Sequence, residues 1–386
     1  MLILHLITGL GAGGAELQLK QLVTGSDPLR FRHVVVSLVD GGPLAAEFQA
    51  AGVEVHSLGM KPGLSSFRGI VRLVILLRQF KPDAVHGWLY HGCLLSLFGA
   101  RFAGAPHLVW GLRSANAELQ GYPLMTRQVV RLCSKLSRFP KVIIVNSQAG
   151  RRAHQQLGYD TTRMKIIPNG IDVEHFHPDA NARETVRQEL SLASDALLVG
   201  MFARYSPMKD HHTFLGAVAL VHARYPHIHF LLAGQGVDSK NQDLSLRLQE
   251  SGLRDVVHLL GLRRDVPRLT AALDIACLSS WSESFPNVIA EAMSCGVPCV
   301  ATNVGDIARI VGSVGRVVPA RTPATFAEAL LQLVEMSGAE RQELGRRARQ
   351  RICSEFSTRQ AICLYGSIYE NLRGYLGLEA ARSVVS

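Results

Sequence analysis

Short runs of aliphatic and β-branched residues recur along the first half of the chain, each followed by a stretch with apolar positions near a 3.6-residue period. Leu2–Thr8, His33–Val39, Val53–Leu58, Ala84–His86, Leu108–Trp110 and Val142–Val145 read as strands. Their near-continuous apolar character is that of strands buried on both faces of a parallel sheet. Ala15–Val23, Gly69–Phe80 and Leu94–Phe102 supply the crossover helices. Repeated strand–helix units predict a doubly wound α/β domain.

The alternation restarts after Ile166-Ile-Pro-Asn-Gly-Ile-Asp172, with Leu197–Phe202, His229–Ala233, Val256–Leu259, Ile275–Leu278 and Pro298–Ala301 as buried strands. A second α/β domain therefore begins near residue 172. Pro168-Asn169-Gly170 between the two is turn chemistry and reads as a hinge or linker. From Thr358 to about Leu378 strand signals cease and the tail reads as helical. A length of 386 residues suits two cores, and 47% hydrophobic with 19% charged residues excludes a disordered or fibrous chain.

Charge sharpens this division. Residues 1–170 carry 19 Lys and Arg against 8 Asp and Glu, whereas the remainder carries 22 against 23. The excess points to an anionic surface or ligand at the first domain, either lipid or nucleic acid. Nucleic acid is disfavoured by the absence of interleaved stacking aromatics, which make up only 6% of the chain. The seven scattered cysteines read as reduced core thiols, and Cys295 and Cys299 lack partners at zinc-finger spacing. No apolar run is long enough to span a bilayer, and the amino terminus lacks a signal peptide's basic region, so a soluble or peripheral protein in a reducing compartment is expected.

Three constellations carry candidate chemistry. Gly9-Leu-Gly-Ala-Gly13-Gly14-Ala-Glu16 joins the first strand to a helix, a geometry that lets backbone N–H groups approach phosphate. It also satisfies G-x-G-x-x-G, and Asp40 closes the second strand, so a nicotinamide or flavin oxidoreductase is an alternative reading. Arg204-Tyr-Ser-Pro-Met-Lys209 ends the second domain's first strand with two cations suited to neutralising a diphosphate leaving group. Glu283 and Glu291 flank the start of a helix marked by Ser284 as N-cap and Pro286 in its first turn. A helix acid among apolar neighbours such as Val288–Ala290 needs a partner, either an arginine or a ligand diol.

The glycine loop, Pro-Asn-Gly-Ile-Asp, the Arg204/Lys209 pair and the E-x7-E of Glu283 and Glu291 occur in the order seen in family 4 retaining glycosyltransferases, and the chain resembles them over nearly its whole length. The resemblance implies the GT-B fold, two Rossmann-like doubly wound parallel-sheet domains facing across a cleft. Residues 1–170 would bind the acceptor, with a C-terminal helix at about 362–386 packing back on them, and 171–361 would bind the nucleotide-sugar. It further implies that Arg204 and Lys209 hold the donor diphosphate, Glu291 the ribose and Glu283 the sugar. Phe285, Pro286 and Asn287 would lie beside them, Gly13 and Gly14 would close over phosphate, and Leu262 and Arg263 would meet the base through main-chain groups. The family often places a histidine near the sugar at the end of the fourth strand. His86 and His91 both flank that position and Trp88 occupies it.

By the same likeness the enzyme is a metal-independent hexosyltransferase without cofactor, retaining anomeric configuration by same-face attack. UDP is the nucleotide the family most often uses, and cell-surface polysaccharide or glycolipid assembly, lipopolysaccharide included, is the expected setting. A further alternative is a non-catalytic nucleotide- or sugar-binding protein on the same scaffold. The acceptor is expected to be a glycan or lipid-linked sugar, because Arg127, Arg131, Lys135 and Arg138 fall on one face of a helix over Tyr122–Phe139. Arg68, Arg72, Arg78 and Lys81 add to the charge. Such a surface would hold a cytoplasmic enzyme at the anionic inner face of a membrane.

Overall fold

The computed structural model describes residues 1–386 except 12, 62–66, 116–118, 120–121 and 384–386, and for 373–383 only the helical backbone. Met1–Gly170 with Thr358–Ser386 forms one compact unit and Ile171–Ser357 the other. The first unit runs β1 (Leu2–Ile7), α1 (Gly14–Gly25), β2 (Arg32–Ser37), α2 (Leu44–Ala50), β3 (Glu54–Ser57), α3 (Phe67–Phe80) and β4 (Ala84–Trp88). It continues with α4 (Leu89–Ala103), β5 (Leu108–Leu112), α5 (Leu124–Leu136), β6 (Val142–Val145), α6 (Gln148–Gln156) and β7 (Met164–Ile166). All seven strands are parallel, in the order β3-β2-β1-β4-β5-β6-β7. Apolar residues cover both faces, with Leu4, Leu6, Val85 and Trp110 on one and Ile3, Val35, Val109 and Ile144 on the other. This explains the unbroken apolar runs.

The second unit runs α7 (Ala180–Glu189), β8 (Leu198–Phe202), α8 (His211–Arg224), β9 (His229–Ala233), α9 (Gln242–Glu250), β10 (Val257–Leu259), α10 (Val266–Ala271) and β11 (Ile275–Leu278). There follow α11 (Asn287–Ser294), β12 (Cys299–Thr302), α12 (Ile307–Val311), β13 (Arg316–Val318), α13 (Pro323–Val334) and α14 (Gly338–Glu355), before α15 (Thr358–Ser383) returns to the first unit. Its six parallel strands are ordered β10-β9-β8-β11-β12-β13. Helix α14 opens with a capping box between Ser337 and Glu340, and α15 packs Tyr365, Tyr369 and Leu372 beneath α1.

Two edge strands, β7 and β13, are absent from the sequence reading. Each is three residues long and holds a cation, too short for a period to register. Helix α4 starts five residues earlier than its apolar pattern suggests. Gly92 permits this, since a Cβ there would lie 2.5 Å from the Leu6 carbonyl oxygen of the neighbouring strand. The Pro168–Gly170 segment, expected as a hinge, is buried and pinned: Gln18 exchanges two hydrogen bonds with Gly170 (2.7 and 2.8 Å), and Arg113 donates to Asn169 (2.9 Å).

Candidate functional site

In the second sheet the chain steps outward from β8 to β10 on one side and from β11 to β13 on the other. The loops after β8 and β11 therefore part at the sheet's centre, where open α/β sheets take ligands. Asp210, in a left-handed conformation, caps α8 by accepting from the Thr213 N–H (3.1 Å) and hydroxyl (2.7 Å). Residues from beyond β11 clamp the same loop: Ser279 donates to the carbonyls of Lys209 (3.0 Å) and Asp210 (2.8 Å), and the Trp281 indole donates to that of Pro207 (2.8 Å). The clamp brings Lys209 Nζ to 2.5 Å from Glu283 Oε1, which also accepts from Ser280 Oγ at 2.7 Å. Arg204, on the same loop, is exposed, and its guanidinium has no ion-pair partner among the described residues. The edge thus presents one free cation beside an amine held by a single carboxylate.

Glu291 lies in the second turn of α11, against a narrow crevice formed with Phe202, Val266 and Thr270. Its carboxylate has no hydrogen bond or ion pair among the described residues, so the arginine partner considered from sequence is not present among them. Burial without compensation raises its pKa to about 7. The helix itself begins at Asn287 with Pro286 in the cap position, not at Ser284, whose carbonyl accepts instead from the Asp306 N–H.

Other expected residues play different parts. Phe285 and Pro286 are buried, and the Phe285 ring packs against Phe356 at 5.9 Å. Leu262 is exposed on the loop after the edge strand β10. The Arg263 guanidinium is taken up by Asp265 and Glu189, each at 2.8 Å, leaving only its main chain for a ligand.

The first sheet divides between β1 and β4. His86 is fully buried there, stacked on Trp88 at 4.6 Å with Nδ1 2.8 Å from the Tyr369 hydroxyl of α15. It cannot reach a substrate, which corrects its candidacy as a catalytic histidine. The Trp88 indole donates to His5 Nδ1 (3.1 Å), and His5 Nε2 lies 2.9 Å from His33 Nδ1. Because an indole only donates, this chain requires neutral rings, and burial lowers the pKa of all three histidines. His91, on the first turn of α4, instead lines a cavity of about 770 Å³ together with Gly9, Glu16 and Arg113. Gly13 caps α1 and Gly14 opens it, while Ala12 lies outside the described residues.

Residues 194–336 match the profile described as glycosyl transferases group 1, and residues 12–175 that of glycosyltransferase family 4. The chain belongs to the family 4 glycosyltransferases. It is 27% identical to an Escherichia coli UDP-Gal:α-D-GlcNAc-diphosphoundecaprenol α-1,3-galactosyltransferase over 62% of this chain and 63% of that one. It is 28% identical to the D-inositol 3-phosphate glycosyltransferase of Corynebacterium urealyticum, over 70% and 68%. Anabaena Alr3699/HepE in complex with UDP superposes with a TM-score of 0.84 at 25% identity, covering 96% of this chain and all of that one.

The glycosyltransferase therefore has the GT-B fold, and the family match displaces the oxidoreductase alternative. Asp40, the expected ribose acid in that alternative, accepts a hydrogen bond from Ser57. Sequence reading missed Ser279 and Ser280, whose only signal is a hydroxyl pair directly after an apolar strand. It also missed Gly305, where a Cβ would lie 2.5 Å from the Glu283 carbonyl oxygen and φ is +61°. In the first unit α5 ends at Leu136, so Arg138 lies beyond it, over the Phe139 ring at 5.3 Å. Arg127 donates to the Tyr122 carbonyl (2.7 Å), leaving Arg131 and Lys135 as the exposed cations of the helix.

Proposed function

We propose that this glycosyltransferase moves a hexose from a UDP-sugar, with retention and without a metal, onto a lipid-linked or glycan acceptor in cell-surface polysaccharide or glycolipid assembly. The observation that carries the donor reading is Glu291, a carboxylate with no described partner, on the helix that follows the Lys209–Glu283 pair. A ribose diol would supply the missing hydrogen-bond donors. Lys209 and Arg204 would take the diphosphate, and Glu283 would bond the sugar while Lys209 moves to phosphate. The UDP complex of the Anabaena relative supports the choice of nucleotide.

In the step itself the anomeric carbon–oxygen bond to the diphosphate breaks and a bond to the acceptor oxygen forms on the same face. The acceptor's proton passes to the departing phosphate oxygen. Lys209 and Arg204 stabilise charge that develops on that leaving group, the kind of fixed electrostatic help that accelerates such transfers. His91 would contact the acceptor or the sugar.

The diphosphoundecaprenol substrate in the Escherichia coli relative's name supports a lipid-linked acceptor. Arg131, Lys135 and Arg138 support a working position at the anionic inner face of a membrane. Among the described residues no helix is long and apolar enough to cross one. Saturation-transfer NMR with UDP, UDP-sugars and NAD tests the donor: signals from UDP and at least one UDP-sugar but not from NAD are expected, and signals from NAD alone would overturn the reading. Product NMR reads the anomeric configuration, and EDTA is expected to leave the rate unchanged.

A further inference from the structure

The 770 Å³ cavity in the first unit is of the size that encloses most of a drug-sized ligand. Its two ends differ in chemistry. At the sheet edge it meets Thr8, Glu16, His91 and Arg113, whereas between α4 and α5 its walls are Leu94, Leu95, Val129 and Leu132. A polar acceptor sugar has a use for the first end and none for the second. The apolar end lies against exposed side chains: Met125 and Leu132 line the cavity yet are 53% and 40% exposed.

The surroundings on the same face of the sheet continue that character. Helix α3 exposes Phe67, Val71 and Ile75 one turn apart, and α4 exposes Phe98 and Phe102. Helices α3, α4 and α5 together carry seven Arg and Lys and no Asp or Glu. An apolar exposed strip with a uniformly cationic frame complements an anionic amphiphile, whose chain uses the strip and whose charged head uses the frame, whereas a purely acidic soluble partner would use only the frame.

We infer that the apolar end of this cavity, between α4 and α5, binds the hydrocarbon chain of an amphiphilic acceptor whose sugar sits at the His91–Arg113 end. The site would select acceptors by their chain as well as by their sugar, drawing the first segment of the chain in past Met125 and Leu132. The inference rests on the reading of the first unit as the acceptor side, and it adds a chain-binding subsite to it.

The test is isothermal titration of the full chain with farnesyl phosphate and with dodecyl phosphate below their micelle concentrations, with inorganic phosphate as control and UDP titrated into the same samples. Saturable binding of one or both amphiphiles, without competition by phosphate, is expected. The stronger of the two tells whether the chain is isoprenoid or straight. Val129→Trp, which fills the cavity, and Leu132→Glu, which puts a charge at its mouth, should each weaken amphiphile binding at least tenfold and leave UDP affinity unchanged. Absence of saturable binding, or wild-type affinity in both variants, overturns the chain site while UDP binding still stands for the donor site. Loss of UDP binding with amphiphile binding intact would instead strike the donor reading alone.

Discussion

The two sheets of this glycosyltransferase share one topology and use it for opposite chemistries. Both divide at their centre, between β1 and β4 in one unit and between β8 and β11 in the other. At the second division lie Lys209, Glu283, Glu291 and an exposed Arg204, with the Ser279 hydroxyl on the Lys209 carbonyl and that of Ser280 on the Glu283 carboxylate. At the first, the interior beneath the edge is a neutral histidine–aromatic cluster and the surface above it an apolar cavity. Topology fixes where a ligand goes, and the loop residues fix which ligand it is. A polar, charged donor suits one crevice and an amphiphile the other.

The sharpest way to break this comparison is to remove the charge from the polar crevice. Lys209→Ala should lower kcat/KM for sugar transfer at least a hundredfold, about 2.7 kcal/mol, since on the proposed donor reading it deletes the cation at the leaving group and leaves Glu283 without its ion-pair partner. Melting temperature should stay near wild type because the loop is clamped independently through Ser279 and Trp281. Wild-type kinetics would show that the charged crevice is not the donor site.

Acid should break the other crevice first. The fold holds His5, His33 and His86 below their ordinary pKa of 6.5, mainly by burial and also through one another, Arg113 and the amino terminus. A group whose folded pKa is depressed contributes stability above its unfolded pKa, and loses it as pH falls through the folded one, about 4 for His33. At pH 5 the penalty for keeping one such ring neutral is about 2 kcal/mol. Proton addition would also set donor against donor between Trp88 and His5. Between pH 6.5 and 4, fluorescence from Trp88 and Trp110 in the first unit should therefore report unfolding before Trp281 in the second does. Simultaneous transitions at every pH would mean that the cluster does not set the acid limit.

Glu291 offers a finer probe of the polar crevice. With its pKa raised to about 7, the carboxyl must ionise for both its oxygens to accept from the two hydroxyls of a ribose, so UDP affinity should rise between pH 6 and 8 and level off above. Glu291→Gln should weaken UDP about tenfold at pH 8, about 1.4 kcal/mol, and flatten that rise. A rise that survives the substitution would assign the pH dependence elsewhere.

Much of this arrangement was legible before the fold was known, for a physical reason. Buried parallel strands write long apolar runs, and the residues that follow such runs must sit on the sheet's carboxyl edge, so Lys209 and Glu283 could be placed on one edge from sequence alone. Whether they touch was not legible, because the contact depends on Ser279 and Trp281 fixing the loop from another strand. His86 misled because strand position gives the edge of the sheet but not which way a ring points. Its partner, Tyr369, lies 283 residues away. The end of α5 was misplaced because the spacing of its cations runs on past Leu136, while the backbone does not.

The smallest effect belongs to the surface around the apolar crevice. Arg131 and Lys135 remain exposed on α5, whereas Arg127 is turned to its own loop. Each exposed cation near an anionic leaflet contributes about 1 kcal/mol, so Arg131→Ala and Lys135→Ala should each weaken binding to phosphatidylserine vesicles about fivefold. Arg127→Ala should change it less. The contrast should fade at high salt, where screening shortens the reach of exposed charge, but binding that depends on Phe67, Ile75 and Phe102 should persist there. Vesicle sedimentation at low and high salt separates these parts. If both cation variants bind as wild type does at low salt, these charges are only a solvated face, and the apolar crevice must draw its amphiphile without their help.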